Sequence, residues 1–465
     1  MKTFKKFKTV IVVIFVCFIV YYIRNLYYSN SSLYFFYPDT YHYLNRAQEL
    51  ANHAPLVNPF RLPLYPLVLL NLSKLRGDFI VDSLNIYTIN FRNLLRFQKD
   101  ISLLGAFFFI LLSGLIFGYG RKFLLVAIIY ALNIRIFGWD KNILTECLTL
   151  AVMSIYVFSA IKFITSKNLL YLLVTVIISD ILFLLRPVYL ILTFALLPFI
   201  IYHLFKQNKL RLIIASFFIV ASTALVPLYY SYQNYKLYSY TGISTVPVHN
   251  LLAKIWQYRL DLHNFTPADK YEKILYDCVK NHPITPLNDT TDCLFALNLE
   301  DNLYSINSAK IIGPFAKKII LKQPFTYIAR STMLFPHALI TTASDMTWIS
   351  TWANNNMVRL FWNYLLSVYN LLQITFLSFF ILYPYSLYCF FKKPDQINTI
   401  VVILGIIVFY QLSFNTFFVQ SEYIRLRAPI EPILLLYCFY YYLRIINAVF
   451  HFLKTRLSKE AKKLR

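Results

Sequence analysis

An aspartate, a glutamate and several arginines, each beside an apolar stretch, are the residues of this chain whose types suit catalysis. Asp39 stands in Tyr37-Pro-Asp-Thr-Tyr-His-Tyr43, and Arg61 opens Arg61-Leu-Pro-Leu-Tyr-Pro66. Glu146 ends Asp140-Lys-Asn-Ile-Leu-Thr-Glu146, Arg186 sits in Leu185-Arg-Pro187, and Arg425 and Arg427 occur in Tyr423-Ile-Arg-Leu-Arg-Ala-Pro429. An acid among guanidinium groups suits a reaction in which the carboxylate removes a proton from a hydroxyl while the cations stabilise a departing phosphate. Ionisable groups next to lipid are costly, and by default they mark a site or pair with one another.

The elements that must position these residues are membrane helices. The chain has 465 residues and is 58% hydrophobic, with apolar runs longer than a soluble core helix needs. The sequence predicts an all-α polytopic membrane protein of about ten transmembrane helices. They run over about Thr9–Tyr22, Ile101–Phe117, Phe123–Phe137, Leu144–Phe163, Leu169–Leu185, Val188–Phe205, Leu212–Tyr230, Val358–Phe391, Ile397–Val419 and Pro429–Phe452. Thr9–Tyr22 has the basic start of a secretory signal, but no small-residue cleavage site precedes Tyr27-Tyr28, so it reads as a retained first helix.

Short cytoplasmic loops are enriched in Lys and Arg, and alternate connections carry Lys2/Lys5/Lys6/Lys8, Arg121/Lys122, Lys162/Lys167, Lys206/Lys209/Arg211, Lys392/Lys393 and the tail from Lys454 to Arg465. Both termini are therefore expected inside, and every acid except Asp395 and Glu460 falls on or near the outer side. Carboxylate chemistry belongs to the outer face. The same rule, with contact to anionic headgroups, accounts for the net charge of +24 without nucleic acid, and membrane lipids are the expected basic-face partner.

Two outer segments interrupt the spans and are expected to form a cap. Residues 1–230 make an N-terminal transmembrane region whose first outer loop, 25–99, carries Asp39; residues 231–357 are the second outer segment, and 358–465 a C-terminal transmembrane region. In the first loop, Leu67–Leu72 is too short to cross and reads as an interfacial helix. The second holds Cys278 and Cys293, 15 positions apart, which an oxidising compartment would join in a disulfide, against two free thiols. The remaining cysteines lie in or near spans, where Cys acts as a small apolar residue. The scattered His residues and the lack of paired Cys-x-x-Cys motifs give no metal site by spacing, so no cofactor follows, and a divalent metal stays open.

The structural alternatives are specific. Asp39 after Pro38 suits an N-cap, Arg61 suits snorkelling to a headgroup, and Glu146 suits a cap at the start of its span. Arg186, Arg425 and Arg427 suit pairing with lipid phosphates or nearby acids. Asp180 suits a partner of Arg135, and His42 a surface histidine in a Tyr-rich helix.

Taken in order, Pro-Asp39-x-x-x-Tyr43 with Ala47, Arg61-x-Pro-Leu-Tyr65-Pro66, Thr145-Glu146, Arg186-Pro187 and Arg425-x-Arg427-x-Pro429-x-x-Pro432 resemble the signature points of the GT-C glycosyltransferases. These integral membrane enzymes use polyprenyl-phosphate sugars, and they include protein O-mannosyltransferases and the lipid A aminoarabinose transferase. The resemblance spans nearly the whole chain. It implies Asp39 as catalytic base, Arg61 at the donor phosphate, further phosphate contacts from Arg186, Arg425 and Arg427, and support from Tyr43, Tyr65 and Glu146. The departure is Thr40, where many members carry a second acid.

What this implies is a hexosyl- or pentosyltransferase that takes its sugar from a polyprenyl-phosphate-linked donor. The acceptor would be a glycan, lipid or protein, met on the outer face of a bacterial inner membrane or, alternatively, of the ER membrane. The other classes open to the sequence are a polysaccharide polymerase or ligase using polyprenyl diphosphate intermediates, and a lipid transporter or flippase. A transporter needs polar groups distributed through its spans and commonly has Gly-interrupted helices. Here the charges gather at one face and Gly numbers only 9.

Overall fold

The computed structural model describes residues 2–29, 35–73, 89–205, 209–262, 265–281, 305–341, 356–419 and 423–463. Among these the chain is helical, with short 3-10 turns and no strand. Six helices are long and apolar enough to cross a membrane, Thr9–Tyr28, Arg92–Phe117, Glu146–Ser166, Asn356–Lys392, Gln396–Phe418 and Arg425–Arg456, and a bent pair, Arg121–Leu132 with Ile134–Lys141, makes up to seven. This is the helix content of a multi-pass membrane protein. Of the other expected spans, Leu169–Leu185 and Pro187–Phe199 are shorter apolar helices, and Leu212–Tyr230 lies inside a helix running Lys209–Tyr238.

The first helix, α1 (Lys2–Ser29), runs past the predicted loop boundary. Its outer surface keeps Ile14, Phe15 and Phe18 exposed, as lipid-facing side chains should be. Arg24, expected in the loop, is buried within α1; it donates to the Ser102 hydroxyl, donates to the Tyr130 hydroxyl at 3.3 Å and pairs with Asp140 at 3.7 Å. The connection predicted as the first outer segment therefore begins after Ser29, and it ends before α4 (Arg92–Phe117), short of Lys99. Between them lie α2 (Pro38–Ala51) and α3 (Leu64–Ser73), the latter covering the predicted interfacial stretch.

Helices α5 (Arg121–Leu132) and α6 (Ile134–Phe137) meet at Asn133, whose side-chain oxygen accepts from the Arg135 amide at 3.1 Å and starts the second helix at a 47° bend. Helix α7 (Glu146–Ser166) is buried along most of its length and crosses α4 closely. A Cβ at Gly105 would stand 2.6 Å from the Ala151 Cα, so only glycine permits that approach. Then come α8 (Leu169–Leu185), α9 (Leu192–Phe205) and α10 (Lys209–Tyr238), the last running beyond the predicted end of its span.

The stretch predicted as the second outer segment supplies α11 (Val246–Gln257), α12 (Lys270–Asn281), α13 (Ile306–Lys322), α14 (Pro324–Met333) and α15 (Phe335–Ile340). Leu252, Ile255, Leu275, Ile312, Phe315 and Ile319 give α11, α12 and α13 an apolar core of their own, which Tyr327 of α14 joins, whereas Ala338 and Leu339 of α15 belong to the larger core of the long apolar helices. Cys278 is disulfide-bonded, while Cys17, Cys147, Cys389 and Cys438 are free; Cys293, its expected partner, lies outside the described residues. The C-terminal region comprises α16 (Asn356–Thr375), α17 (Phe379–Lys392), α18 (Gln396–Phe418), the five-residue α19 (Tyr423–Arg427) and α20 (Glu431–Lys463).

Candidate active site

The sequence places Asp39 at the start of a helix, and the local reason is Pro38. Proline suits the first helical position because it has no amide to leave unpaired, and Tyr37 rather than Asp39 is the cap. Asp39 thus sits in the first turn with its carboxylate free to turn outward from the backbone, where the helix dipole favours a negative charge. Thr40, the residue that departs from the family pattern, is fully buried: its hydroxyl accepts from the Tyr37 amide and donates to the Ile143 carbonyl, both at 3.0 Å. Together with the backbone bonds Phe35 N to Lys141 O and Ile143 N to Phe35 O, it fastens the Asp39 turn to the segment leading into Glu146. An acid at position 40 would have to break that contact.

Glu146 is the first residue of α7 and is fully buried. Arg186 caps α8 in extended conformation, as a residue before proline is biased to be, and the chain reversal turns its side chain back on α7. Its Nε donates to the Thr145 hydroxyl at 2.7 Å and its Nη2 to the Glu146 carboxylate. Arg425 bridges two acids: its Nε donates to Glu146, and its Nη2 lies 2.6 Å from Asp39. Arg61 donates to the other Asp39 oxygen. Five ionised side chains from five separate stretches of sequence form one chain of ion pairs, Arg61, Asp39, Arg425, Glu146 and Arg186.

The chain has a direction. The Asp39 side chain is 27% exposed, Arg425 7% and Glu146 0%, so the Asp39 and Arg61 end is the one that solvent or a ligand can reach. Three guanidinium groups against two carboxylates leave a net charge of +1, complementary to a singly charged anion. Arg61 Nε and Arg186 Nη1, both buried, have no hydrogen-bond partner, and neither has Glu146 Oε2. Burial pushes the Asp39 carboxyl up, but the Arg425 and Arg61 guanidinium groups outweigh it and hold the acid well below the usual carboxylate range.

Tyr43 and Tyr65 lie beside the ion pairs. The Arg61 guanidinium stands 4.8 Å over Tyr43 and 4.7 Å over Phe60, a geometry that holds a cation without neutralising it. Tyr43 packs edge-on to Tyr65 at 5.1 Å. Tyr65 donates to Gln98 at 3.2 Å, and the Gln98 amide holds the Asp140 and Asn142 carbonyls, each at 2.9 Å. The aromatic pair thus stands on the same segment that Thr40 grips. His42 packs on Phe60 at 5.0 Å, and its imidazole is pushed down by burial and by Arg61.

Arg427 keeps different company. It donates to the Ala338 carbonyl at 2.9 Å, to that of Leu339, and to that of Thr341 at 3.1 Å, and it pairs with Glu431 at 3.8 Å. Glu431 also holds Arg135 at 3.2 Å, the arginine that the sequence suggested as a partner for Asp180. Glu431 was legible only as one of the two residues between Pro429 and Pro432. Lys254 is the other residue that sequence reading passed over: fully buried in α11, it donates to the Tyr423 hydroxyl at 3.0 Å.

No family model matches this chain, and no curated protein matches it. Its chemistry must be argued from these residues. Among the described residues no group of three His, Cys, Asp or Glu side chains could hold a metal ion.

Proposed function

We propose that the chain is a GT-C-like membrane glycosyltransferase that moves a sugar from a polyprenyl-phosphate donor to an acceptor hydroxyl on the outer face of the membrane. The observation that carries the reading is the Arg61–Asp39–Arg425–Glu146–Arg186 chain of ion pairs. Its single excess positive charge suits the phosphodiester of the donor, and Arg61, at the reachable end and with an unpartnered nitrogen, suits a phosphate oxygen, while Arg186 adds its charge from behind Glu146.

The charge stays balanced through the reaction. Asp39 takes the proton of the acceptor hydroxyl, the acceptor oxygen bonds to the anomeric carbon, and the bond from that carbon to the phosphate oxygen breaks. The phosphate gains the negative charge that Asp39 loses. Arg61, Arg425 and Arg186 are there to stabilise it as it develops. Arg427, engaged with backbone carbonyls and Glu431, has no part in this step.

Ten crossings would require α8, α9 and α10 to span in addition to the seven candidates, with the helices from α11 to α15 outside. Cys variants tested with an impermeant thiol reagent on intact cells should label at outer positions near residue 259 and stay silent at position 209. Labelling at 209 from outside would reverse the sidedness. The activity itself is tested with a radiolabelled polyprenyl-phosphate sugar. Label should leave the lipid only when an acceptor is present, and movement of intact donor lipid between leaflets without cleavage would favour a flippase instead.

A further inference from the structure

We propose that Lys254 is a positioning residue for Arg425, acting through Tyr423 to hold the short helix α19 in place; the inference rests on the phosphate-donor reading above. Lys254 is an ammonium with no exposed surface, and among the described residues no carboxylate pairs with it. Its polar contact is the Tyr423 hydroxyl at 3.0 Å, and its Nζ lies 5.4 Å from the Tyr423 ring centroid and 5.0 Å from that of Tyr258. Burial pulls the group down to about 7.

A buried amine with no carboxylate partner lowers the stability of the fold, whether it keeps its proton or gives it up. A residue that breaks a local rule at such a cost is expected where function requires it. The requirement is visible in α19. Its five residues lead through the 3-10 turn Ala428–Ile430 into α20, so α20 carries its C-terminal end, while among the described residues no helix runs into its N-terminal end, whose position depends on tethers. Toward its C-terminal end, Gln411 donates to the Leu426 carbonyl at 3.2 Å, and Arg427 donates to the Ala338 and Thr341 carbonyls. At its N-terminal end the tethers meet on Tyr423, whose hydroxyl engages Lys254 and Gln257 of α11 and whose ring packs edge-on to His337 at 5.6 Å.

Arg425 lies between the two anchorages, and it is the only residue in the ion-pair chain that touches both carboxylates. The α11 side of the tether is itself fixed. Tyr258 donates to the Thr416 carbonyl at 2.6 Å and accepts from the Ser331 hydroxyl at 3.1 Å. A shift of α11 would therefore be passed to Arg425 within two residues, which makes the second outer segment a determinant of phosphate binding although it contributes no group to the ion-pair chain.

The test is binding of farnesyl phosphate to the purified full-length protein in detergent, with farnesol as the uncharged control, beside apparent melting temperatures. Lys254→Met removes the buried charge and keeps the length of the side chain. It should melt at or above the wild-type temperature yet bind farnesyl phosphate about 3- to 10-fold more weakly. A merely structural lysine would not separate the two readouts in that way. Tyr423→Phe, which deletes the hydroxyl that Lys254 and Gln257 both engage, should weaken binding at least as much, and the double variant should be no worse than Tyr423→Phe alone. Unchanged affinity in both single variants, or additive losses in the double, would overturn the positioning role while leaving the donor reading standing. A wild-type protein that binds farnesyl phosphate no better than farnesol would instead defeat the donor reading, and this inference with it.

Discussion

Asp39→Asn lowers sugar transfer by about 10²–10⁴-fold, the usual worth of a general base, and leaves farnesyl phosphate binding unchanged or tighter. The first half follows from chemistry, since an amide cannot take the acceptor proton. The second follows from geometry. Asp39 holds one nitrogen of Arg61 and one of Arg425, and those are the groups that the donor phosphate needs; a carboxylate that competes with the ligand weakens its binding.

The same competition explains how a carboxyl held far below its usual range can act as a base at all. When phosphate takes over the arginines, Asp39 loses the partners that suppress its proton affinity. Folding should survive the substitution. Asn keeps the size of Asp, its carbonyl oxygen can still accept from Arg61, and Arg425 retains Glu146. Transfer near the wild-type rate by purified Asp39→Asn would place the base elsewhere, and Glu146 would be the next residue to test. A loss of phosphate binding in the same variant would mean that Asp39 organises the arginines rather than competing for them.

The ion-pair chain was legible in the sequence to an unusual extent, because charge is scarce in apolar surroundings. Asp39, Arg61, Glu146, Arg186 and Arg425 each stand at the edge of an apolar run, and the structure brings all five together. Their pairing was not legible. That Arg425 bridges two acids depends on the packing of α19, α7 and α2, which no local pattern encodes. Arg427 shows the limit clearly. It is two residues from Arg425 in a motif of alternating arginines, but on a helix that spacing points side chains to different faces, and Arg427 reaches the α15 carbonyls and Glu431.

Segment boundaries were the weaker part of the sequence reading. Apolar runs end where hydrophobicity ends, whereas helices end where hydrogen bonding does. Arg24 therefore looked like loop while α1 continues to Ser29, and α10 continues through a polar stretch to Tyr238. The helices α11 to α14 are amphipathic in the sequence, but each is too short to cross a membrane, and a reading built on long apolar runs passed over them. Lys254 was missed for the related reason that burial of a lysine cannot be read from composition.

Glu431→Gln destabilises the protein by about 3–5 kcal/mol, the cost of removing one partner from a buried ionic group, without any direct effect on the chemistry at Asp39. Glu431 is buried beside two buried arginines, Arg135 at 3.2 Å and Arg427 at 3.8 Å. Glutamine can still accept from one of them, but it supplies no charge, and two guanidinium groups then share a poorly solvated site. Arg135 retains Asn370, which accepts from its Nη1 at 2.6 Å, and Arg427 retains the α15 carbonyls. Those acceptors satisfy hydrogen bonds and leave the charge uncompensated. The variant should express poorly and melt well below the wild type in detergent. Adding Arg135→Met should recover part of the loss, because it removes one of the two orphaned cations and leaves an apolar side chain in a helical, largely apolar setting. This coupling separates the two ionic clusters of the molecule. Both clusters hold one cation in excess and unpartnered guanidinium nitrogens, so exposure is what separates them: around Asp39, whose side chain is 27% exposed, the charges are partly open, as a binding site should be. Around Glu431 they are closed and serve the fold, joining α6 to the start of α20. If Glu431→Gln melted with the wild type while transfer collapsed, that division would fail, and the Glu431 cluster would have to be counted as part of the active site.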